Sequence, residues 1–212
     1  MANSKRYGTL RREVLLLRKH FLPETFNVLG NYTGSDKVQA LTRAFLVLSH
    51  AEVETYLEGW AKDIARKCEA AWNSSGKVTS PLAFLLVTST ASMRVPERLA
   101  TDDGKDTPQL FAANVNSRLQ DYYKRIRENH GVKEKNVLAL FSPLGAPKTA
   151  FGTTLLPNLD SFGSLRGEYA HNSSQVVQTV PDPETEYNRV INLVEELKVL
   201  DSWLMQCRSR IQ

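Results

Sequence analysis

Residues 36–72, DKVQALTRAFLVLSHAEVETYLEGWAKDIARKCEAAW, decide the fold of this 212-residue chain. Apolar residues recur there at steps of three and four, the spacing of one face of an α-helix. Ser35 is a candidate N-cap residue, and the turn at residues 73–76 is a natural end. The stretch predicts the longest helix of the protein, lying in the middle of a bundle. Its apolar face consists of Leu41, Phe45, Leu48, Val53, Tyr56, Leu57, Trp60 and Ile64.

The rest of the chain has the same helical spacing, and strand-like alternation is short or missing. We expect an exposed loop over residues 100–108 and an irregular connection over residues 142–157, which contain three prolines and two glycines. We therefore predict an all-α, antiparallel helical bundle of about five main helices. The helices predicted outside the first stretch are residues 5–22, a short one from Pro81, residues 111–129, a short one over 132–141, and residues 184 to about 210.

Two of these helices have apolar residues that we expect in the core. In the short helix they are Leu82, Phe84, Leu85 and Leu86. In the last helix they are Tyr187, Val190, Ile191, Val194, Leu197, Val199, Leu200 and Leu204.

Composition limits the class of protein. With 42% hydrophobic and 24% charged residues, the chain can bury a core, and we expect one domain over residues 1–212. No apolar run approaches the roughly 20 residues of a membrane helix, and the basic N-terminus lacks the apolar segment of a secretory signal, so we expect a soluble, cytoplasmic protein. Cys68 and Cys207 form no C-x-x-C pair, which excludes a disulfide scaffold and the usual zinc frameworks. The net charge of +4 is compatible with an anionic partner.

The common enzyme motifs are missing from the sequence. It contains no G-x-x-x-x-G-K-[ST] phosphate loop, no G-x-G-x-x-G turn after a strand and no H-E-x-x-H zinc helix. Residues 163–167, GSLRG, superficially suggest a nucleophile elbow, but the serine directly follows the first glycine and no parallel sheet is predicted. A serine hydrolase is therefore excluded.

Residues 159–174, LDSFGSLRGEYAHNSS, contain an arginine, four residues, and then a histidine. This pattern resembles the motif of the HEPN superfamily, helical-bundle proteins in which an arginine and a histidine four to six residues apart form a ribonuclease site. Arg166 and His171 fit that spacing. Residues 48–58, LSHAEVETYLE, look like the earlier HEPN helix, where a glutamate or other polar residue faces the motif, and Glu54 is the matching position. The ribonuclease-L-like, phage- and stress-associated group looks closest.

The resemblance covers roughly residues 36–205, which leaves residues 1–30 as an N-terminal helical extension. It implies a metal-independent endoribonuclease without a cofactor, acting as a prokaryotic toxin or defence effector. The partners it implies are RNA, a second copy of the chain and an antitoxin or regulatory protein, but no membrane. The implied catalytic residues are Arg166, His171 and Glu54, and the implied substrate-binding residues are Gly167, Glu168, Asn172, Ser173 and His50.

The chemistry of RNA cleavage fits these residue types. RNA carries its own nucleophile, the 2′-hydroxyl, so the enzyme supplies proton transfer and charge stabilisation. Histidine exchanges protons near neutral pH, and arginine matches phosphate oxygens. Five residues along a helix leave Arg166 and His171 about 140° apart and roughly 7.5 Å along the axis, so one motif hardly makes one site. The resemblance implies that two protomers join their motifs around a two-fold axis.

Other interpretations remain open. Gly167 follows the arginine where HEPN nucleases usually have a polar residue, and Ser173 stands where some HEPN toxins have a tyrosine that is adenylylated. The Gly167 departure leaves a second interpretation, a non-catalytic HEPN module that binds RNA or a protein, whereas the Ser173 departure bears only on control by adenylylation. Arg166 and His171 could also serve only as surface or capping residues of a helical adaptor, and His50 and Glu54 as an i, i+4 ion pair.

Overall fold

The computed structural model describes residues 3–27, 32, 34–88, 107–171 and 181–211. The described residues form seven α-helices and contain no strand, which confirms the all-α prediction. Two 3-10 turns, Ser142–Leu144 and Lys148–Phe151, connect the fifth helix to the sixth. The α-helices are α1 (Lys5–Phe21), α2 (Asp36–Ser75), α3 (Ser80–Thr88), α4 (Thr107–Arg127), α5 (Glu134–Phe141), α6 (Leu155–His171) and α7 (Pro183–Ser209).

The central position predicted for the longest helix is confirmed. α2 has 40 residues and packs against each of the other six helices. It ends at Gly76, which has a left-handed φ of +67° and donates its backbone N–H to the carbonyl of Trp72 at 2.8 Å. Ser35 precedes the helix as predicted, but its side chain makes no capping hydrogen bond.

Three residues predicted in the core are exposed: Leu48 at 39%, Phe84 at 43% and Val199 at 48%. One step along a helix turns the side chain by about 100°, away from the face of its neighbour. Each of the three directly precedes a residue that faces the core, namely Ser49, Leu85 and Leu200.

Two helices begin earlier than predicted. α4 begins at Thr107 rather than Phe111, with Pro108 in its first turn. α6 begins at Leu155, so residues 155–157 belong to a helix and not to an irregular connection. Proline is tolerated in a first turn because the N–H groups there have no partner within the helix. Residues 100–106 of the predicted loop lie outside the described residues.

A buried carboxylate ties α7 to α2 and to the start of α1. Asp201 is 1% exposed, and its Oδ1 accepts hydrogen bonds from Tyr56 Oη at 2.9 Å, Trp60 Nε1 at 3.1 Å and Ser4 Oγ at 2.6 Å. Its Oδ2 accepts the backbone N–H of Ser4 at 2.8 Å, and Ser4 caps α1 through Tyr7 N. Burial and this carboxylate raise the pKa of Tyr56, so the phenol stays protonated and donates.

No helix within the described ranges is long and apolar enough to cross a membrane.

Replacing Asp201 by alanine tests this network. Asp201→Ala should lower the free energy of unfolding by roughly 3 kcal/mol, because the buried Tyr56 hydroxyl and Trp60 N–H lose their acceptor. Asp63→Ala is the control, since it removes the half-exposed ion pair with Arg208 and should cost less than about 1 kcal/mol. Urea unfolding measures both variants, and equal costs would contradict the assigned role.

Candidate active site

The two segments that resemble HEPN motifs lie against each other in the structure. α2 packs on α6, and the ring centroids of His50 and Phe162 are 5.6 Å apart. Arg166 follows Phe162 by one helical turn. Its positive charge, after burial, lowers the pKa of the His50 imidazole. The structure therefore brings Arg166 of α6 to the polar residues of α2.

His50 is a neutral imidazole behind Arg166. It is 2% exposed, and burial together with the Arg166 charge lowers its pKa to about 4. Its Nδ1 lies 3.8 Å from Glu54 Oε2, which is too far for a hydrogen bond. Because a ring with this pKa carries no charge at neutral pH, His50 and Glu54 do not form the ion pair that their i, i+4 spacing suggested.

The carboxylates of Glu54 and Glu58 hold the turn between α4 and α5. The backbone N–H of Gly131 donates to Glu54 Oε1 in a short hydrogen bond. Asn129 Nδ2 donates to Glu58 Oε1 at 2.8 Å and to the Gly131 carbonyl at 3.1 Å. Gly131 has a φ of +131°, which favours glycine. The turn is therefore fixed against the same stripe of α2 that carries His50.

Glu58 lies in a less polar environment than an exposed carboxylate. Burial raises its pKa and the neighbouring charge of Glu54 raises it further, whereas Asn129 and His130 oppose the rise. Sequence reasoning missed Glu58 and Asn129. The sequence Asn-His-Gly at 129–131 does signal the end of a helix, but it does not reveal that this end contacts α2.

The remaining predicted site residues are distributed unevenly. α6 includes the backbone of His171, while its side chain and both Asn172 and Ser173 lie outside the described residues. Gly167 has no atom of the described residues within 4 Å of the place where a Cβ would stand. Glu168 is exposed and stands two helical steps, about 200°, from Arg166. The structure therefore groups Arg166, His50 and Glu54, and it does not bring Glu168 to them.

A second arginine of α2 lies near the end of α6. The Arg43 guanidinium lies over the Tyr169 ring, 5.8 Å from its centroid, and Arg43 Nε is buried without a hydrogen-bond partner among the described residues. Burial and the charge of Glu186 raise the pKa of Tyr169. The α2–α6 contact thus carries polar groups over several turns.

In this group of residues, the cation Arg166 lies next to the uncharged ring of His50. Arg166 makes no ion pair within 4 Å with any carboxylate in the described part of the chain, and the carboxylates of Glu54 and Glu58 are occupied by the turn. Within the same residues, no three His, Cys, Asp or Glu side chains form a group that could hold a metal ion. Such a guanidinium is free to bind an anion.

Comparison with known proteins gives one match. The RiboL-PSP-HEPN family model matches residues 11–206, from within α1 to near the end of α7. No curated protein matches the chain, and no solved structure does. Membership of a HEPN family is compatible with a nuclease or another RNA-related role. The match, the all-α fold and the meeting of the two motif segments lead to one conclusion: the chain belongs to the RiboL-PSP-HEPN family.

Proposed function

We propose that this protein is a metal-independent endoribonuclease that cleaves RNA through attack by the 2′-hydroxyl, at a site composed from two protomers. The observation that carries the proposal is the placement of Arg166 beside a buried, neutral His50. A carboxylate in that position would neutralise the guanidinium, whereas a neutral ring leaves its charge available for a phosphate. In the cell, the protein acts as a toxin or defence effector.

The reaction needs two proton transfers and stabilisation of one charge. One imidazole removes the 2′-hydroxyl proton, the O2′–P bond forms, and the P–O5′ bond breaks. A second, protonated imidazole gives its proton to the leaving 5′-oxygen, so the products are a cyclic phosphate and a 5′-hydroxyl. His171 supplies the imidazole of each protomer. Arg166 stabilises the negative charge that develops on the phosphate oxygens.

A second protomer resolves the geometry of the motif. α6 is continuous over residues 155–171, so Arg166 and His171 stand about 140° apart around its axis. Two copies related by a two-fold axis place an arginine of one beside a histidine of the other. Gly167 leaves the helix backbone open for this approach. Glu54 acts as a positioning residue, because its carboxylate holds the turn at Gly131.

One observation favours a second candidate function, a non-catalytic module that binds RNA or a protein. Gly167 stands directly after Arg166, where the resemblance to HEPN nucleases predicts a polar residue. In such a module, the charge of Arg166 binds a phosphate without a following cleavage step. RNA binding without cleavage distinguishes this candidate from the nuclease.

Cleavage of total RNA in EDTA tests the nuclease directly. The purified protein should cleave, whereas Arg166→Ala and His171→Ala should each lose at least about 100-fold of the rate, because charge stabilisation or proton transfer is removed. The controls are Arg12→Ala and His20→Ala, which change exposed residues of α1 and should leave the rate unchanged. An active protein lacking both Arg166 and His171, or a strict need for magnesium, would overturn the mechanism.

Gly167→Ala tests the composite site. Light scattering should give the wild type twice the 23.8 kDa of one chain. The added methyl should weaken the dimer and cleavage while raising the monomer's free energy of unfolding by up to about 1 kcal/mol, since alanine favours a helix. Gly8→Ala is the matched control, because Gly8 lies within α1 and also has open space around it. Gly8→Ala should stabilise the chain and leave the mass in solution and the cleavage rate unchanged. A wild type that is monomeric and active would contradict the composite site.

His50 predicts a pH dependence of stability. Its folded-state pKa is lowered from 6.5 to about 4, so the unfolded chain binds this proton more readily than the folded protein. The resulting stability is complete above pH 6.5 and is lost as the pH falls towards 4. Thermal unfolding between these values should show a smaller loss for His50→Gln than for the wild type. The exposed His20→Gln should follow the wild-type curve, and the same loss in all three proteins would refute the assignment.

A further inference from the structure

A buried glycine in α6 marks the contact with a lysine. A Cβ at Gly163 would stand 2.7 Å from Lys133 Cγ and 3.4 Å from the Lys133 backbone nitrogen. Glycine in a helix interior costs about 1 kcal/mol relative to alanine, so this position is unfavourable for the helix alone. The aliphatic stem of Lys133 therefore lies directly across the backbone of α6, where no residue with a side chain would leave it room.

Arg166 stands between this contact and α2. Measured around α6 from Phe162, which faces His50, Gly163 lies at about 100° and Arg166 at about 40°, one turn further along the helix. Arg166 consequently has the imidazole of His50 on one side and the stem of Lys133 towards the other. The Lys133 stem and Arg166 therefore lie on adjoining parts of the α6 surface, about 60° apart around its axis.

The backbone fixes the position of Lys133, and its ammonium has no ion-pair partner among the described residues. Its carbonyl accepts the N–H groups of Asn136 at 2.8 Å and Val137 at 3.1 Å, which anchors it at the start of α5. The preceding turn is held by Glu54 and Glu58. No carboxylate of the described residues lies within 4 Å of the Lys133 ammonium, although acidic groups occupy the neighbouring stripe of α2.

We propose that Lys133 is a second phosphate-binding residue of this site, with its ammonium contacting a backbone phosphate next to the one that Arg166 contacts. The ligand is single-stranded RNA, so the inference rests on the proposed function. A lysine ammonium binds phosphate as a point charge, and each such contact releases counterions from the RNA. Lys133 therefore contributes to affinity and register, and it takes no part in proton transfer.

Binding of a labelled 2′-fluoro RNA tests the assignment without cleavage, because this RNA keeps its phosphates and lacks the nucleophile. Lys133→Ala should weaken binding roughly tenfold and reduce the slope of log K against log salt by about 0.7, the share of one phosphate contact on a single strand. Lys133→Arg keeps the charge and should keep the slope. Lys135→Ala, the control, removes an exposed lysine of α5 and should change neither quantity.

Gly163→Ala tests whether binding depends on where the Lys133 side chain lies, because this variant keeps the charge of Lys133. The new methyl displaces the Lys133 stem, so this variant should lose the same affinity as Lys133→Ala. The double variant should bind no more weakly than Lys133→Ala alone, since both changes remove one contact. Circular dichroism checks the fold, and if Gly163→Ala does not fold, the two Lys133 variants decide the question.

The outcomes separate this inference from the proposed function. A wild type that binds the 2′-fluoro RNA but cleaves no RNA overturns the nuclease and still allows the Lys133 contact to be measured. A wild type that cleaves, together with a Lys133→Ala protein of unchanged affinity and salt slope, overturns the Lys133 contact alone. A wild type that does not bind the 2′-fluoro RNA also overturns the contact, while the cleavage assay decides the nuclease separately.

Discussion

The position of α2, in contact with the six other α-helices, is the constraint on which the rest of the structure depends. Polar side chains on the faces of α2 that pack against other helices lose contact with water, and several of them hydrogen-bond to groups of other elements. Tyr56 and Trp60 donate hydrogen bonds to the carboxylate of Asp201. Glu54 and Glu58 accept hydrogen bonds from the turn between α4 and α5. The polar residues of α2 therefore fix the positions of α7, α1 and the start of α5.

The same burial determines the electrostatics of the site. His50 is too enclosed to hold a proton beside Arg166, so one of the two groups must be neutral, and the guanidinium keeps its charge because arginine does not lose its proton in proteins. The carboxylates that could have neutralised Arg166 are engaged with backbone and amide N–H groups instead. The central helix thus places an uncharged ring, rather than an ion-pair partner, next to Arg166.

The sequence predicts the features that lie within one segment of the chain, but not those that depend on contacts between distant segments. The apolar spacing of α2, the closing glycine at position 76 and the Arg-x4-His pattern all lie within single segments, and the first two were located to within a few residues. Asn129 contacts α2 and Lys133 contacts α6 only because the chain folds back on itself, so that Gly131 meets Glu54 from 77 residues away. The starts of α4 and α6 were predicted too late, because a proline occurs in loops as well as in the first turn of a helix, and the sequence alone does not distinguish the two.

Gly163 and Gly167 show why packing is needed to interpret such positions. They stand one turn apart on α6 and give the same signal in the sequence, a helix weakened by glycine. In the folded chain, Lys133 fills the space over Gly163, whereas the described residues leave the space over Gly167 open. Lys133 thus accounts for the first glycine, while no residue in the described ranges accounts for the second. Two glycines that look alike in the sequence therefore have different surroundings in the fold, and only the packing of Lys133 tells them apart.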